Sequence, residues 1–202
     1  FAEVGQLMAE DLGVEAEFID VPEWASVIPT LVSGKADLII AAPSATPERA
    51  LTIDFPAILV YYDATVMVPK DGDIQTIEDL NSPGVTISVN EGSTQHFYAL
   101  TNYPDANINA IPGALEARLE VASGRADATF QDSYQSFKFM QEYDGMDVLR
   151  DENGDPLVVS REPGSIAIRQ GDPRFYNWLN NWVRWYREQG VLDGMYDKWM
   201  DP

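Results

Sequence analysis

One short pattern occurs twice in this chain, as Leu31-Val-Ser-Gly-Lys-Ala-Asp37 and as Val121-Ala-Ser-Gly-Arg-Ala-Asp127. Each copy reads as a helix end, a glycine stop and the start of a strand. Glycine takes the left-handed backbone that closes a helix at little cost, so Gly34 and Gly124 mark two corners of one kind. The copies lie too far apart for a solenoid unit. They fit two similar α/β lobes that use the same helix-to-strand corner; the alternative is independent convergence on a common helix stop.

Apolar runs and stops alternate along the chain, which predicts an α/β fold with largely parallel sheets. A helix over 1–12 stops at Gly13 and leads into a strand over 15–21. A second helix over 25–33 feeds a strand over 37–41. Tyr61-Tyr62 precede an extended run over 64–68. Thr76 and Asp79 stand at capping-box spacing for a short helix over 76–80. A strand over 85–89 follows, then a turn at Gly92 and a helix from about Ser93. Further on, a strand over 164–169 precedes a long helix over 174–188, on which Trp178, Trp182 and Trp185 recur at helical spacing and read as core.

Composition narrows the function. Of 202 residues, 45% are hydrophobic, enough for a substantial folded core. Thirteen Lys and Arg face 33 Asp and Glu, for a formal charge of −20. Nucleic acid and anionic membranes need a basic face, so neither is an expected partner. The surface suits a salty or extracytoplasmic setting. With no cysteine and a single histidine, His96, disulfides, thiolate nucleophiles and Cys- or His-rich metal sites are excluded. No apolar run is long enough to span a bilayer. No signal peptide is visible, and a mature or trimmed chain would lack one; the opening residues read as a helix already in progress.

Three strand ends carry chemistry. Ala42-Pro-Ser-Ala-Thr-Pro-Glu-Arg49 follows the buried run Asp37-Leu-Ile-Ile-Ala-Ala42. Ser44 and Thr46 offer hydroxyls and N–H groups, and Arg49 adds a planar donor fork matched to a carboxylate. The plainer alternative is a surface arginine paired with a local acid. In Val89-Asn-Glu-Gly-Ser-Thr-Gln95, the N–H groups of Ser93, Thr94 and Gln95 at a helix start form an anion site, while Ser93 alone as a helix cap is the simpler alternative. Ala128-Thr-Phe-Gln-Asp132 ends a strand on an acid able to receive an ammonium group, in a chain where acids are common. An arginine, a helix start and an aspartate together suit a zwitterion.

The chain resembles the type II periplasmic solute-binding proteins of family 3, which serve amino-acid ABC importers. The segments that carry the resemblance are Val27-Ile-Pro-Thr-Leu-Val-Ser-Gly-Lys-Ala-Asp-Leu-Ile-Ile, Ser44-Ala-Thr-Pro-Glu-Arg-Ala, Tyr61-Tyr-Asp, Ile77-Glu-Asp-Leu and Asn90-Glu-Gly-Ser-Thr. Ser123-Gly-Arg-Ala-Asp-Ala-Thr-Phe-Gln-Asp, Ile166-Ala-Ile-Arg-Gln-Gly-Asp-Pro and Gly190-Val-Leu-Asp-Gly-Met-Tyr-Asp-Lys-Trp extend it over essentially the whole chain. It implies a two-lobed periplasmic-binding-protein-like II fold: each lobe a mixed, mostly parallel sheet flanked by helices, with two hinge strands. Lobe 1 would span 1–67 plus 163–202 and lobe 2 68–162, with an amino acid or similar zwitterion captured between them on hinge closure.

The resemblance assigns the α-carboxylate to Arg49 and the Ser44 region, with Ser93, Thr94 and the adjoining Asn90 and Gln95 facing it from lobe 2. Asp132 takes the α-ammonium and Ala42 lies against the ligand, while Trp24 falls where the family often has an aromatic that stacks on it, ordinary lobe core being the alternative. Two departures stand out. A first strand and an aromatic-bearing loop precede the position of Phe1 in the family, and the sequence given starts without them. Ala42 stands where many members have Ser or Gly, and Pro43 removes a backbone donor. The implied protein is a monomeric, extracytoplasmic binding protein that uses no cofactor or metal and docks on a membrane permease. Two rivals share the fold: a cyclohexadienyl dehydratase-like enzyme, for which Glu91 and Glu162 are the candidate acids, and the ligand-sensing part of a receptor.

Overall fold

The computed structural model of the protein describes residues 1–200. Helix α1 (Ala2–Leu12) is followed by α2 (Val27–Val32), strand β1 (Leu38–Ile39) and the long strand β2 (Ile53–Pro69). Then come β3 (Thr86–Asn90), α3 (Thr94–Asn102), β4 (Asn107–Ile111), α4 (Ala114–Ala122) and β5 (Ala128–Asp132). The chain closes with α5 (Ser133–Glu142), β6 (Met146–Val148), β7 (Val158–Arg169), α6 (Pro173–Glu188) and α7 (Val191–Met200). It divides into two compact units. Among the described residues, unit 1 comprises Phe1–Val21, Ser26–Tyr61 and 162–200; unit 2 comprises Pro22–Ala25 and Tyr62–Arg161. Strands β2 and β7 each carry residues of both units. Residues 201 and 202, the end of the expected lobe 1 range, lie outside the described residues.

In unit 1, β1 pairs antiparallel with β7, Leu38 opposite Ile168. Val4 and Met8 of α1, Ile166 and Ile168 of β7, Leu179, Trp182 and Val183 of α6 and Leu192 of α7 form one buried cluster. Leu31, Ile39, Ile53 and Ala167 form another. Asp11 on α1 accepts hydrogen bonds from Trp182 Nε1 and Tyr186 Oη, 2.7 Å each, so the buried indole keeps a partner. The start of α6 follows from sequence: Asp172 Oδ1 accepts from the N–H groups of Arg174 and Phe175, and Pro173 holds the first turn.

In unit 2, β3 lies between β4 and β5 and runs parallel to both. The second half of β2 pairs antiparallel with β5, Val66 opposite Phe130, and with β6. The sheet is therefore mixed, parallel where helices connect the strands and antiparallel where β2 joins them. Val66, Leu80, Ile87, Val89 and Phe130 belong to its largest core cluster.

The repeated corner forms twice, once in each unit. At the first, the N–H groups of Ser33, Gly34 and Lys35 bond Pro29 O, Leu31 O and Thr30 O; at the second, Ser123, Gly124 and Arg125 bond Leu119 O, Val121 O and Glu120 O. Gly34 (φ 77°) and Gly124 (φ 74°) supply the left-handed residue.

Several expectations change. Residues 15–21 form no strand, and Phe18 and Ile19 are half exposed. A strand exists only with a ladder partner, and none pairs this segment among the described residues. The strand expected over 37–41 is reduced to Leu38–Ile39. The helix over 76–80 is a single 3-10 turn, Glu78–Leu80, in which Asp79 Oδ2 accepts from the N–H groups of Gln75 (3.0 Å) and Thr76 (2.8 Å). Those bonds hold the Asp79 carboxyl below its ordinary range. Trp185 is not core but 63% exposed. The buried face of α6 centres on Leu179 and Val183, and 100° per residue puts Trp185 roughly 120° away from Leu179.

Candidate functional site

In unit 1 the candidate residues Ala42, Ser44 and Arg49 come together just beyond β1. Ala42 is 2% exposed and has φ +51°, the one positive φ outside glycine among the described residues. For alanine that backbone costs about 1–2 kcal/mol, so the surrounding loop must hold it. It does so through a short ladder: Ala45 N–H bonds Pro163 O (2.8 Å) and Ser165 N–H bonds Pro43 O (3.0 Å), with Ser44 opposite Gly164. Thr46 Oγ1 accepts from Arg49 N–H at 3.2 Å. Arg49 is half-buried, and its Nη1 donates to Ser44 O at 3.1 Å, which turns the guanidinium onto the loop. Burial pushes the Arg49 pKa down, opposed by the charges of Glu162 and Glu48.

One participant went unrecognised as part of this clamp. Ser44 Oγ donates to Glu162 Oε2 at 2.5 Å. Glu162, named from sequence only as a candidate acid for the enzyme rival, is the first unit 1 residue of β7. Its one sequence signal is position, directly before Pro163-Gly164 at the ladder to the Ser44 loop.

In unit 2, parallel strands β3 and β5 end side by side, with Ser88 opposite Thr129, which brings Asn90 and Asp132 to the same edge of the sheet. A helix starts just beyond each. Ser93 is the cap of α3, its Oγ accepting from His96 N–H at 3.1 Å, while Gly92 N–H donates to His96 Nδ1 at 3.3 Å. Ser93 N–H bonds Asn90 O, so of the three expected anion-binding donors the first is already engaged. Thr94 Oγ1 donates to Gln95 Oε1 at 3.1 Å. Gly92 has φ 74°, and a Cβ there would lie 3.2 Å from Ala25 Cα and Cβ. The turn thus packs on Ala25, and Trp24, next in the chain, belongs to this unit as well. Asn90 Oδ1 is buried without a hydrogen-bond partner.

Asp132 caps α5, Oδ1 accepting from Gln135 N–H at 2.9 Å. Behind it lies Arg118 of α4, 8% exposed, which sequence reasoning missed. Its Nη1 donates to Gln135 Oε1 (3.1 Å), its guanidinium lies over the Phe139 ring, and its Nε has no partner. Burial lowers the Arg118 pKa, and Asp132 is the foremost charge opposing this. The signal lay in helical spacing: Ala117, Arg118 and Val121 share the buried face of α4.

Among the described residues no helix is long and apolar enough to cross a membrane, and no cluster of His, Asp and Glu has the form of a metal site.

A family model described as bacterial extracellular solute-binding proteins, family 3, matches residues 2–202. Among solved structures, the chain is 34% identical to an ancestral amino-acid-binding protein described as a precursor of cyclohexadienyl dehydratase, with a TM-score of 0.87 over 98% of this chain and 84% of that one. It is 27% identical to a binding component of an ABC transporter from Wolinella succinogenes DSM 1740 complexed with lysine, with a TM-score of 0.86 over 98% and 84% of the two chains. It is also 27% identical to an arginine-binding extracellular protein of Bacillus subtilis (strain 168), covering 98% of this chain and 75% of that protein.

Proposed function

This chain belongs to the bacterial extracellular solute-binding proteins, family 3, and on that premise we propose that it captures an amino acid outside the cytoplasm for an ABC importer. The observation that carries this reading is the clamp beyond β1, where a half-buried arginine and a serine hydroxyl are held on one loop. In the reading, unit 1 carries the carboxylate chemistry through Arg49 and Ser44. Unit 2 carries the ammonium chemistry through Asp132 at the start of α5. The protein then acts by capture rather than turnover, as a monomer that presents its loaded form to a membrane permease. Relatives whose names specify lysine or arginine support an amino acid as the ligand class.

Thermal melting against a panel of the common amino acids, with prephenate included, tests this. A true ligand stabilises by RT ln(1 + [L]/Kd), about 2.7 kcal/mol at 100 times Kd. A shift with one or a few amino acids supports capture; no shift with any of them sinks it. Turnover of prephenate would instead favour the enzyme reading, which the 34% identity to the dehydratase precursor keeps in the panel.

Asp132→Asn separates recognition from folding. Asparagine caps a helix as well as aspartate does, so α5 keeps its start. The ammonium loses a charge-assisted bond of about 1.5–3 kcal/mol. Calorimetry should show amino-acid affinity falling by that amount while a 2-hydroxy acid of the same side chain, lacking the amine, binds both proteins alike. Equal losses for the two ligands would count against the role.

A further inference from the structure

Ser44 is already engaged by a carboxylate. Its hydroxyl donates to Glu162 Oε2 at 2.5 Å, a contact between residues 118 positions apart. The ladder of Ala45 to Pro163 and Ser165 to Pro43 ties together the two segments that carry these side chains. A hydroxyl has one proton to give, so it serves one carboxylate at a time. Arg49 is the cation on this loop, and Glu162 is the foremost charge favouring its protonated form, ahead of its sequence neighbour Glu48. A ligand α-carboxylate arriving at Ser44 and Arg49 would meet a second carboxylate using the same donor, and two carboxylates sharing a site repel.

We propose that Glu162 is a built-in competitor for the carboxylate clamp, so that an amino acid binds by displacing its carboxylate from the Ser44 hydroxyl. The inference rests on the amino-acid reading above and adds a determinant of affinity to it. Glu162 also stands where β7 passes from one unit to the other: Arg161, its neighbour, belongs to unit 2 and pairs with Asp63 at 3.8 Å. Displacement would therefore act on the chain at one of the points where it passes between the units.

The test compares the full chain with its Glu162→Gln and Glu162→Ala variants, each titrated calorimetrically with L-arginine, L-lysine, L-histidine and L-glutamine. The variants should bind the preferred amino acid about tenfold or more tighter, the size of one charge-assisted hydrogen bond. They should also melt at a lower temperature in the absence of amino acid, since the Ser44 bond to a charged acceptor is lost. Tightening in whichever variant keeps a cooperative melt supports the proposal. If the parent protein binds and both variants bind equally or more weakly, the competitor role is overturned and the amino-acid reading stands. The titration is extended to any further amino acid that shifts the melt in the full panel, and if neither the parent nor the variants bind any amino acid of that panel, both fall together.

Discussion

Arg49→Ala should abolish measurable amino-acid binding. The guanidinium is half-buried, fixed to its own loop through Ser44 O at 3.1 Å, and is the cation that the proposed ligand carboxylate meets. Removing one partner of a buried charge pair leaves the other uncompensated and costs about 3–5 kcal/mol, a loss of roughly two to three and a half orders of magnitude in affinity. Glu162 would lose its compensating cation in the same variant, so the melting temperature should fall as well. Arg49→Lys tests the fork separately from the charge: a lysine keeps the cation but not the planar set of donors, and an intermediate loss is expected. Calorimetric titration with the amino acid found by thermal melting decides the matter, and an unchanged affinity in Arg49→Ala would remove the clamp from the function.

Phe130→Ala should be the most damaging single truncation in unit 2. Phe130 is 1% exposed and lies on β5, between β3 and β2 in the sheet. It stacks on Tyr103 with ring centroids 5.6 Å apart and meets Tyr98 edge-on at 5.5 Å. Emptying such a site costs about 3–5 kcal/mol, with the ring pairs contributing part of it. For a chain of this length each kcal/mol is worth about 2–4 °C, so scanning calorimetry should show unit 2 melting at least about 6 °C earlier. Because the chain has two units, the signature is a displaced or newly separated transition rather than a uniform shift. Phe130→Leu, which keeps most of the volume, should cost much less. A drop under about 2 °C for the alanine variant would mean that the neighbouring rings close the space.

Local signals were the readable ones. The two glycine corners, the Ser93 and Asp172 caps and the Ala42 to Arg49 loop are each decided within a few consecutive residues, where backbone sterics and side-chain capping leave little choice. Residues 15–21 alternate well enough to suggest a strand, yet whether a segment joins a sheet depends on a partner elsewhere in the chain. Trp185 shows the same limit on a helix: spacing identifies a stripe, but where burial stops depends on what packs against it. The site follows this division. Ser44 and Arg49 are neighbours in sequence and could be grouped on that basis, whereas the Glu162 contact joins β7 to a loop far upstream. Arg118, missed from sequence, lies between these cases, since its helical spacing with Ala117 and Val121 is local but Asp132, the foremost charge facing it, is on another element.

The distribution of tryptophans gives the molecule a spectroscopic asymmetry. Four of the five, Trp178, Trp182, Trp185 and Trp199, belong to unit 1, three of them on α6 with Trp178 and Trp182 stacked, while Trp24 is the single indole of unit 2. Near-ultraviolet emission from the whole protein is therefore mostly a signal from unit 1, with the exposed Trp185 and Trp199 as its red-shifted components. Replacing Trp24 by phenylalanine and subtracting the two spectra isolates an optical probe beside the Gly92 turn, one that needs no label and no cysteine.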